Sequence, residues 1–413
     1  MEIINNILLC SLSILIVRNL LTALLSSDHA QIWSPMTFIS LVYLYYCVIP
    51  YYFGDIKIYG IDASKSAIYM NIGALLSYIC ISLGFHIRST ANFRKLNSVF
   101  TVNNARIYGI ALFIIAVACY VPFRGFHFSF FNTDEGEIFD REGFTSYFID
   151  MISLFCASCS LIWATHKKKI DLILLLIVWL SLVFYIIAGF RFRIVMLIIS
   201  IATAIYLFPM PRRLNYVALS AIAILVYVGF GIMDGARSYG HGIDIEKVEF
   251  GKGATGAGEN SYVYVMSALT MHQYDNETKL YFEPLVTALC MPIPRVLAPW
   301  KPDGKYLKDA QRKVLGTTEY GAAFVFFTEA FISWGWLGVI IYSLFIGWFS
   351  KVFWNNYSQN RQSLGAVILL GLYNGFCYVL ISRGYMAQVF NTFIYFVLLP
   401  FLFAAIIKRL FRI

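Results

Sequence analysis

Long apolar runs, separated by short polar connections, cover most of the chain. A membrane-spanning helix needs about 20 mostly apolar residues, and the apolar runs supply eleven candidates. The predicted spans are residues 3–25, 32–53, 66–87, 107–123, 146–165, 170–188, 192–208, 214–233, 322–349, 363–381 and 386–407. This pattern predicts an all-α integral membrane protein, a polytopic helical bundle of about eleven transmembrane helices.

One long polar interruption, residues 234–321, separates the eighth and ninth predicted spans. We predict that it forms one large extracytoplasmic loop. Its centre, residues 291–305, is apolar and contains four prolines, which cannot continue a helix. We therefore expect an extended or broken element at the membrane interface, and a re-entrant element is compatible with residues 281–297. The chain shows no internal repeat, so residues 1–413 are interpreted as a single integral-membrane domain.

The distribution of charged residues predicts which connections face the cytoplasm. The 413 residues are 59% hydrophobic and 13% charged, with a formal net charge of +9. The basic residues lie in short connections rather than along a soluble face, so they indicate topology and not nucleic-acid binding. The connection 88–106 contains four basic residues and no acidic one, and the connections in phase with it are also basic. We predict that these connections are cytoplasmic and that residues 234–321 lie outside.

Several arginines fall on the predicted outer side, where the insertion rule disfavours them. They are Arg191, Arg193, Arg237, Arg295 and Arg383. A single arginine at such a position can snorkel to lipid phosphate. Five that converge would form an anion site, because guanidinium groups match phosphate oxygens in a fixed planar geometry. The sequence leaves both interpretations open.

Two residues are candidates for proton transfer. Glu329 is the carboxylate that falls within the ninth predicted span, near its outer end. A carboxylate at that depth either pairs with a basic side chain or has a function. His272, in the outer segment, is a second candidate base near neutral pH or else an ordinary surface histidine. The acidic pairs within residues 244–246 and 275–277 lack a supporting ligand set, so no metal and no cofactor is predicted.

Four short motifs add to this layout. They are an arginine-containing turn at residues 189–193, a Pro-Ile-Pro-Arg…Trp-Lys-Pro segment at 292–302, Glu-Ala…Gly-Trp-Leu-Gly at 329–338, and Arg-Gly at 383–384. With the many spans and the large outer loop, these motifs resemble the O-antigen polymerase family, the Wzy-type oligosaccharide repeat-unit polymerases.

This resemblance implies a GT-C-like, metal-independent glycosyltransferase in the bacterial inner membrane, with its active site facing the periplasm. Its substrate would be an oligosaccharide linked to undecaprenyl pyrophosphate. The growing glycan would be transferred to the terminal sugar of another lipid-linked repeat unit, releasing undecaprenyl pyrophosphate and building O-antigen or a similar surface polysaccharide. Membrane lipid and a chain-length regulator protein are the further partners that the resemblance suggests, and nucleic acid is not among them.

Within this interpretation, basic outer residues would stabilise the charge that develops on the leaving pyrophosphate. This group consists of Arg191, Arg193, Arg237, Arg295, Lys301 and Arg383. Glu329 is the first candidate for the base that activates the attacking sugar hydroxyl, and His272 is the second. Trp300 and Tyr320 are candidate sugar-binding platforms.

Two other classes of protein compete with this prediction. An O-antigen ligase-type transferase would use the same donor and the same arginines with a different acceptor. A polysaccharide transporter or flippase would place charged residues along the middle of the spans, whereas here the ionisable residues collect at one face. A polymerase is therefore the predicted function, with a ligase as its nearest alternative.

Overall fold

The computed structural model describes residues 2–54, 56–58, 60–90, 93–123, 154, 157–158, 161, 176–180, 191–213, 259–293, 297–302, 304–316 and 323–411. The helices that start before residue 200 are α1 (Glu2–Leu24), α2 (Pro35–Tyr43), α3 (Ile49–Phe53), α4 (Ala67–His86), α5 (Arg94–Asn97), α6 (Val102–Phe123) and α7 (Arg191–Leu207). The later helices are α8 (Glu259–Gln273), α9 (Glu283–Cys290), α10 (Lys305–Leu315), α11 (Phe326–Gln359), α12 (Leu364–Ser382), α13 (Met386–Thr392) and α14 (Leu399–Phe411). Strands β1 (Lys57–Ile58) and β2 (Ile61–Asp62) form a small antiparallel hairpin.

Two pairs of these helices are continuous through a π-helical turn. Leu44–Val48 joins α2 to α3, and Phe393–Leu398 joins α13 to α14. Each pair therefore forms one membrane-length rod, and the described residues confirm the prediction of an all-α membrane protein.

Within the described residues, seven helical segments are long and apolar enough to cross a membrane. They are Glu2–Leu24, Pro35–Phe53, Ala67–His86, Val102–Cys119, Phe326–Gln359, Leu364–Ser382 and Met386–Arg409. These segments coincide with predicted spans one to four and nine to eleven, and the shorter apolar helix Arg193–Leu207 coincides with the seventh.

The remaining predicted spans fall largely outside the described residues. Residues 146–165 and 170–188 are described only at a few positions, all helical, and residues 214–233 are not described. The number of eleven spans therefore stays a prediction.

The centre of the bundle is α12, whose residues are all buried. It packs against α7, α2 and α11, and a second close helix crossing joins α4 to α11. A Cβ placed on Gly84 would lie 2.2 Å from the Leu344 carbonyl oxygen, and one on Gly347 would lie 2.1 Å from that of Ile81. Glycine at both positions lets the two backbones touch, as is typical of helix pairs in membranes.

The connections between helices collect at two opposite ends of the bundle. At the basic end, formed by residues 25–34, 87–90, 93–101, 208–213 and 360–363, Arg361 Nη2 donates to Asp28 Oδ2 at 2.6 Å. At the cleft end, the Gly384 N–H donates to the Phe324 carbonyl at 2.5 Å. This end is formed by residues 54, 56–58, 60–66, 274–293, 297–302, 304–306, 323–325 and 383–385. Each contact joins connections that the charge pattern places on the same side of the membrane.

The predicted loop, residues 234–321, contains three helices in its described part: α8, α9 and α10. Helix α8 is largely buried and packs against α4 and the turn after α2. The sequence did not indicate this because α8 carries polar residues inside the bundle. Tyr264 Oη donates to Asn71 Oδ1 at 2.8 Å, and the Val325 N–H donates to Ser267 Oγ at 3.0 Å. Paired in this way, polar side chains are tolerated in a core.

Candidate functional site

A sharp bend in α11 shapes the cleft end. Trp334 has φ −137° and ψ 16°, and Gly335 has φ 64° and ψ −151°, so the helix breaks between its first limb, residues 326–333, and its long second limb. The backbone conformation of Gly335 is essentially restricted to glycine. Gly338 completes the bend, because a Cβ there would lie 2.1 Å from the Ala330 carbonyl oxygen. The Gly-Trp-Leu-Gly motif, residues 335–338, therefore forms the bend in α11.

The bend exposes backbone carbonyls that a neighbouring segment satisfies. The Leu280 N–H donates to the Ile332 carbonyl at 3.0 Å, and the Tyr281 N–H donates to the Ser333 carbonyl at 2.9 Å. Broken membrane helices with carbonyls satisfied from outside are typical of binding sites near the membrane interior. The residues before α9 are thus fixed to the broken point of α11.

Glu329 lies on the first limb of α11 and is 2% exposed. Its Oε1 accepts a hydrogen bond from Tyr306 Oη at 2.5 Å, and its Oε2 accepts one from the Met386 N–H at 2.5 Å. It forms no salt bridge with a basic side chain in the part of the chain that the structure describes. Two neutral donors therefore hold this carboxyl group. The first interpretation of Glu329 from the sequence, pairing with a basic side chain, finds no partner among the described residues.

Tyr306 reaches Glu329 from α10, an amphipathic helix. Its buried residues Tyr306, Ala310 and Gln311 face the bundle, and its basic residues are exposed. Burial, and then the neighbouring Glu329 carboxylate, raise the pKa of the Tyr306 phenol far above its ordinary value. Tyr306 therefore keeps its proton and acts as a donor to Glu329.

Glycine ends and a second tyrosine fix the position of α10. Gly304 and Gly316 flank the helix with φ of 66° and 71°. A Cβ on Gly304 would lie 2.4 Å from Tyr385 Oη, and the rings of Tyr306 and Tyr385 are 5.9 Å apart. Burial, followed by the charge of Glu329, raises the pKa of Tyr385 to about 12. Two protonated phenols thus lie beside one carboxyl group.

An open cleft of about 400 Å³ lies against α10, and Tyr306 forms part of its wall. Its lining includes hydroxyl groups and both signs of charge: Tyr274, Thr278, Leu280, Glu283, Lys305, Tyr306, Asp309, Arg312 and Lys313. Lys313 Nζ pairs with Glu277, whose pKa is lowered first by the Gln273 hydrogen bond and then by that of Lys313. Tyr306 thus connects a polar cleft to the buried carboxyl group of Glu329.

The described basic candidates have protein partners. Arg383 Nη2 pairs with Glu259 Oε1 between the end of α12 and the start of α8, and the two side chains are 21% and 13% exposed. Arg193 is buried within α7. Lys301 Nζ donates to the Met291 carbonyl at 3.2 Å and to that of Ile293 at 2.9 Å. Its ammonium group therefore binds carbonyls at the start of the same proline-rich segment.

The other described candidates lie away from Glu329 along the cleft end. His272 is exposed; its Nδ1 lies 2.9 Å from Ser66 Oγ, and its ring stacks on Tyr69 at 5.2 Å. Trp300 is 71% exposed and does not line the cleft. Arg237, Arg295 and Tyr320 lie outside the described residues, as does the side chain of Arg191, so convergence of the five arginines stays a prediction.

Sequence reasoning found Glu329 and missed its partners. Tyr306 had a signal, because the pattern of Lys305–Leu315 after a glycine is that of an amphipathic helix with Tyr306 on its apolar face. The Met386 N–H gave no signal in the sequence, because every residue except proline has a backbone donor and the residue types do not show which one lies beside Glu329. Across the described ranges, no three metal-ligating side chains come together.

The chain was compared with protein-family models, with curated proteins and with solved structures. None of the three comparisons gave a match.

Proposed function

We propose that this chain is a membrane glycosyltransferase that polymerises undecaprenyl-pyrophosphate-linked oligosaccharide repeat units, in the manner of an O-antigen polymerase, on the periplasmic face of the bacterial inner membrane. The single observation that carries the proposal is the buried Glu329 carboxyl group, joined through Tyr306 to a polar cleft at one end of the bundle.

The cleft fits a hydrated glycan better than it fits an apolar molecule. Its wall offers phenol, carboxylate, ammonium and guanidinium groups, which are the donors and acceptors that bind sugar hydroxyls. Its basic members, Lys305, Arg312 and Lys313, add the positive charge that a departing pyrophosphate needs. The basic residues expected from the resemblance would extend this charge.

Glu329 and Tyr306 supply a route for one proton. The attacking sugar hydroxyl gives its proton to Tyr306 Oη as the Tyr306 proton moves to Glu329 Oε1. The sugar oxygen then forms a bond to the anomeric carbon of the donor, and the bond from that carbon to the pyrophosphate oxygen breaks. Undecaprenyl pyrophosphate leaves with the electron pair. General base assistance of this kind contributes about 10²- to 10⁴-fold to a rate.

The test is Glu329→Gln, which removes the base, keeps the bond from the Met386 N–H and reverses the direction of the bond with Tyr306. The amide oxygen accepts from the Met386 N–H, and the amide nitrogen donates to Tyr306 Oη. We expect the protein in the membrane at wild-type levels and a loss of polymer of about 100-fold or more, with single-unit glycans remaining on the cell surface. The measurement is the ladder of surface polysaccharide on a gel.

Asp62→Asn is the matched control, since it makes the same chemical change on the exposed hairpin of the same end. It should leave the ladder intact. A full ladder from the Glu329→Gln protein would contradict the proposed role of the carboxyl group.

A ligase shares the donor and the leaving group, so a second assay separates the two. Purified protein given one lipid-linked repeat unit as the sole substrate should produce a series of chain lengths. A ligase would give no product until a separate lipid acceptor is added.

A further inference from the structure

A large apolar surface lies beside the cleft, on α9 and its flanking residues. Helix α9 has eight residues and is about 12 Å long, too short to cross a membrane. Its inner side, including Pro284, Thr287 and Ala288, is buried and packs against α13. Its outer side is apolar but open: Leu285 is 38%, Val286 44% and Leu289 55% exposed.

The flanking residues extend this open side. Tyr281 and Phe282 before α9 are 53% and 59% exposed, and Ile293, Leu297 and Trp300 after it are 39%, 74% and 71% exposed. We call these eight side chains together the α9 surface. A contiguous exposed apolar surface of this kind marks an interaction site.

The α9 surface is continuous with the outer face of a membrane span. The ring of Trp334, at the bend of α11, packs against two rings of this surface. The ring centroids lie 4.8 Å apart for Phe282 and 5.7 Å apart for Tyr281. From there the exposed side chains Leu337, Ile341 and Phe345 repeat every four residues along the second limb of α11. That face of a spanning helix lies against acyl chains. The α9 surface therefore adjoins this face through the Trp334 ring.

Charge marks the other edge of the surface. Helix α10, which shares the wall of the cleft with Glu283 of α9, exposes Lys305, Lys308 and Arg312. Basic side chains next to an apolar face are typical of elements that lie in the membrane interface, where they meet lipid phosphates. Aromatic residues such as Trp300 and Tyr281 prefer the same level.

From this geometry we propose that the α9 surface is embedded among the acyl chains of phospholipids in the leaflet at the cleft end. The exposed cations of α10 then lie at the level of the head groups. This places the mouth of the cleft at the edge of the bilayer, so an amphiphilic molecule reaches the cleft sideways from the membrane. The proposal concerns bulk phospholipid and does not depend on the glycan assignment.

The test replaces Leu289 with the photoreactive amino acid p-benzoyl-phenylalanine and irradiates the protein in vesicles of phosphatidylethanolamine and phosphatidylglycerol. Leu289 is more than half exposed, so the larger side chain fits without disturbing the core. Leu337, on the outer face of α11, is the positive control, and Lys65, on an exposed connection of the cleft end, is the negative control. Mass spectrometry identifies what each position has captured.

We expect phospholipid adducts at position 289 with a yield close to that at 337 and several-fold above that at 65. A yield at position 289 that matches position 65 would overturn the proposal, because the surface would then face water. Capture of a second copy of the chain, seen as a covalent dimer, would also overturn it. The thermal unfolding midpoint of each variant, compared with that of the parent in detergent, confirms that the fold is retained.

Discussion

At the scale of single residues, the arrangement around Glu329 explains how a carboxyl group is tolerated within the bundle. An unpaired buried carboxyl group would be strongly unfavourable. Here each oxygen has one donor, the Tyr306 phenol or the Met386 N–H. The same two bonds hold the first limb of α11 to α10 and to the start of α13. Glu329 therefore joins three elements that are distant in the chain.

This predicts different stabilities for two substitutions of Glu329. Alanine leaves the Tyr306 phenol and the Met386 N–H buried without an acceptor and should lower the free energy of unfolding by on the order of 3 kcal/mol. Glutamine keeps the bond from the Met386 N–H and reverses the one to Tyr306, whose phenol oxygen then accepts from the amide nitrogen, so it should cost less than alanine, about 1 kcal/mol. Thermal unfolding in detergent measures the difference. Equal stability of the two variants would show that these bonds do not hold the site together.

The ion pair at the basic end gives a prediction about pH. Partial burial raises the pKa of the Asp28 carboxyl group, but hydrogen bonds from Arg361 and the Ala30 N–H outweigh this effect, and the pKa is lowered. A carboxyl group with a lowered folded-state pKa stabilises the fold above its unfolded pKa of about 3.9, and this contribution is lost as the pH falls through the folded-state value.

Asp28→Asn should therefore destabilise the protein at neutral pH by less than about 1 kcal/mol, since the pair is partly exposed. The difference from wild type should shrink as the pH falls below about 4. Asp309→Asn is the control, because its contact with Arg312 at 3.9 Å is more exposed, and it should have no measurable effect. A wild-type advantage that persists at low pH would contradict the assignment.

At the scale of elements, the bend of α11 positions Glu329. A straight helix could not bring the first limb across the bundle while the second limb packs along α4. Two glycines make the bend for different reasons: Gly335 through its positive φ, and Gly338 through its contact with the Ala330 carbonyl.

Three glycine-to-alanine variants separate these effects. Gly335→Ala should cost about 1–3 kcal/mol of stability through backbone strain, and Gly338→Ala a similar amount of about 1–3 kcal/mol through overpacking. Both should also reduce polymer formation, because they move Glu329 away from Tyr306. Gly316 also has a positive φ, 71° against 64° at Gly335, but no neighbour within 4 Å, so Gly316→Ala should cost about 1 kcal/mol and leave polymer formation unchanged. Unfolding midpoints and the polysaccharide ladder are the measurements.

At the scale of the whole molecule, charge divides the two ends of the bundle. The described residues of the basic end carry five arginines, one lysine and one acidic side chain, Asp28, which pairs with Arg361. The cleft end carries both signs. The positive-inside rule then favours a cytoplasmic basic end and an outer cleft end.

Cysteines at Lys65 and Gln362, one exposed position at each end, should show this orientation. In intact spheroplasts a membrane-impermeant maleimide should label Lys65→Cys, whereas Gln362→Cys should react only after lysis. The parent protein, labelled in parallel, corrects for native cysteines. The reverse pattern of labelling would show the opposite membrane orientation, with the cleft facing the cytoplasm.

The sequence by itself determined the membrane helices and the two ends. Length and hydropathy are local properties, and the bilayer requires about 20 apolar residues wherever a chain crosses it, so residues such as 364–382 are recognisable without a fold. The depth of Glu329 followed from the same rule. The eight helices found at predicted positions rest on this local signal.

Only the tertiary structure decided what surrounds Glu329. The partners Tyr306 and Met386 lie 23 and 57 residues away along the chain, and no local pattern encodes their approach. The buried position of α8 was also hidden, because its polar side chains are satisfied by residues from other helices. Contacts between distant segments depend on how the helices pack, and this is why the carboxyl group could be predicted while its environment could not.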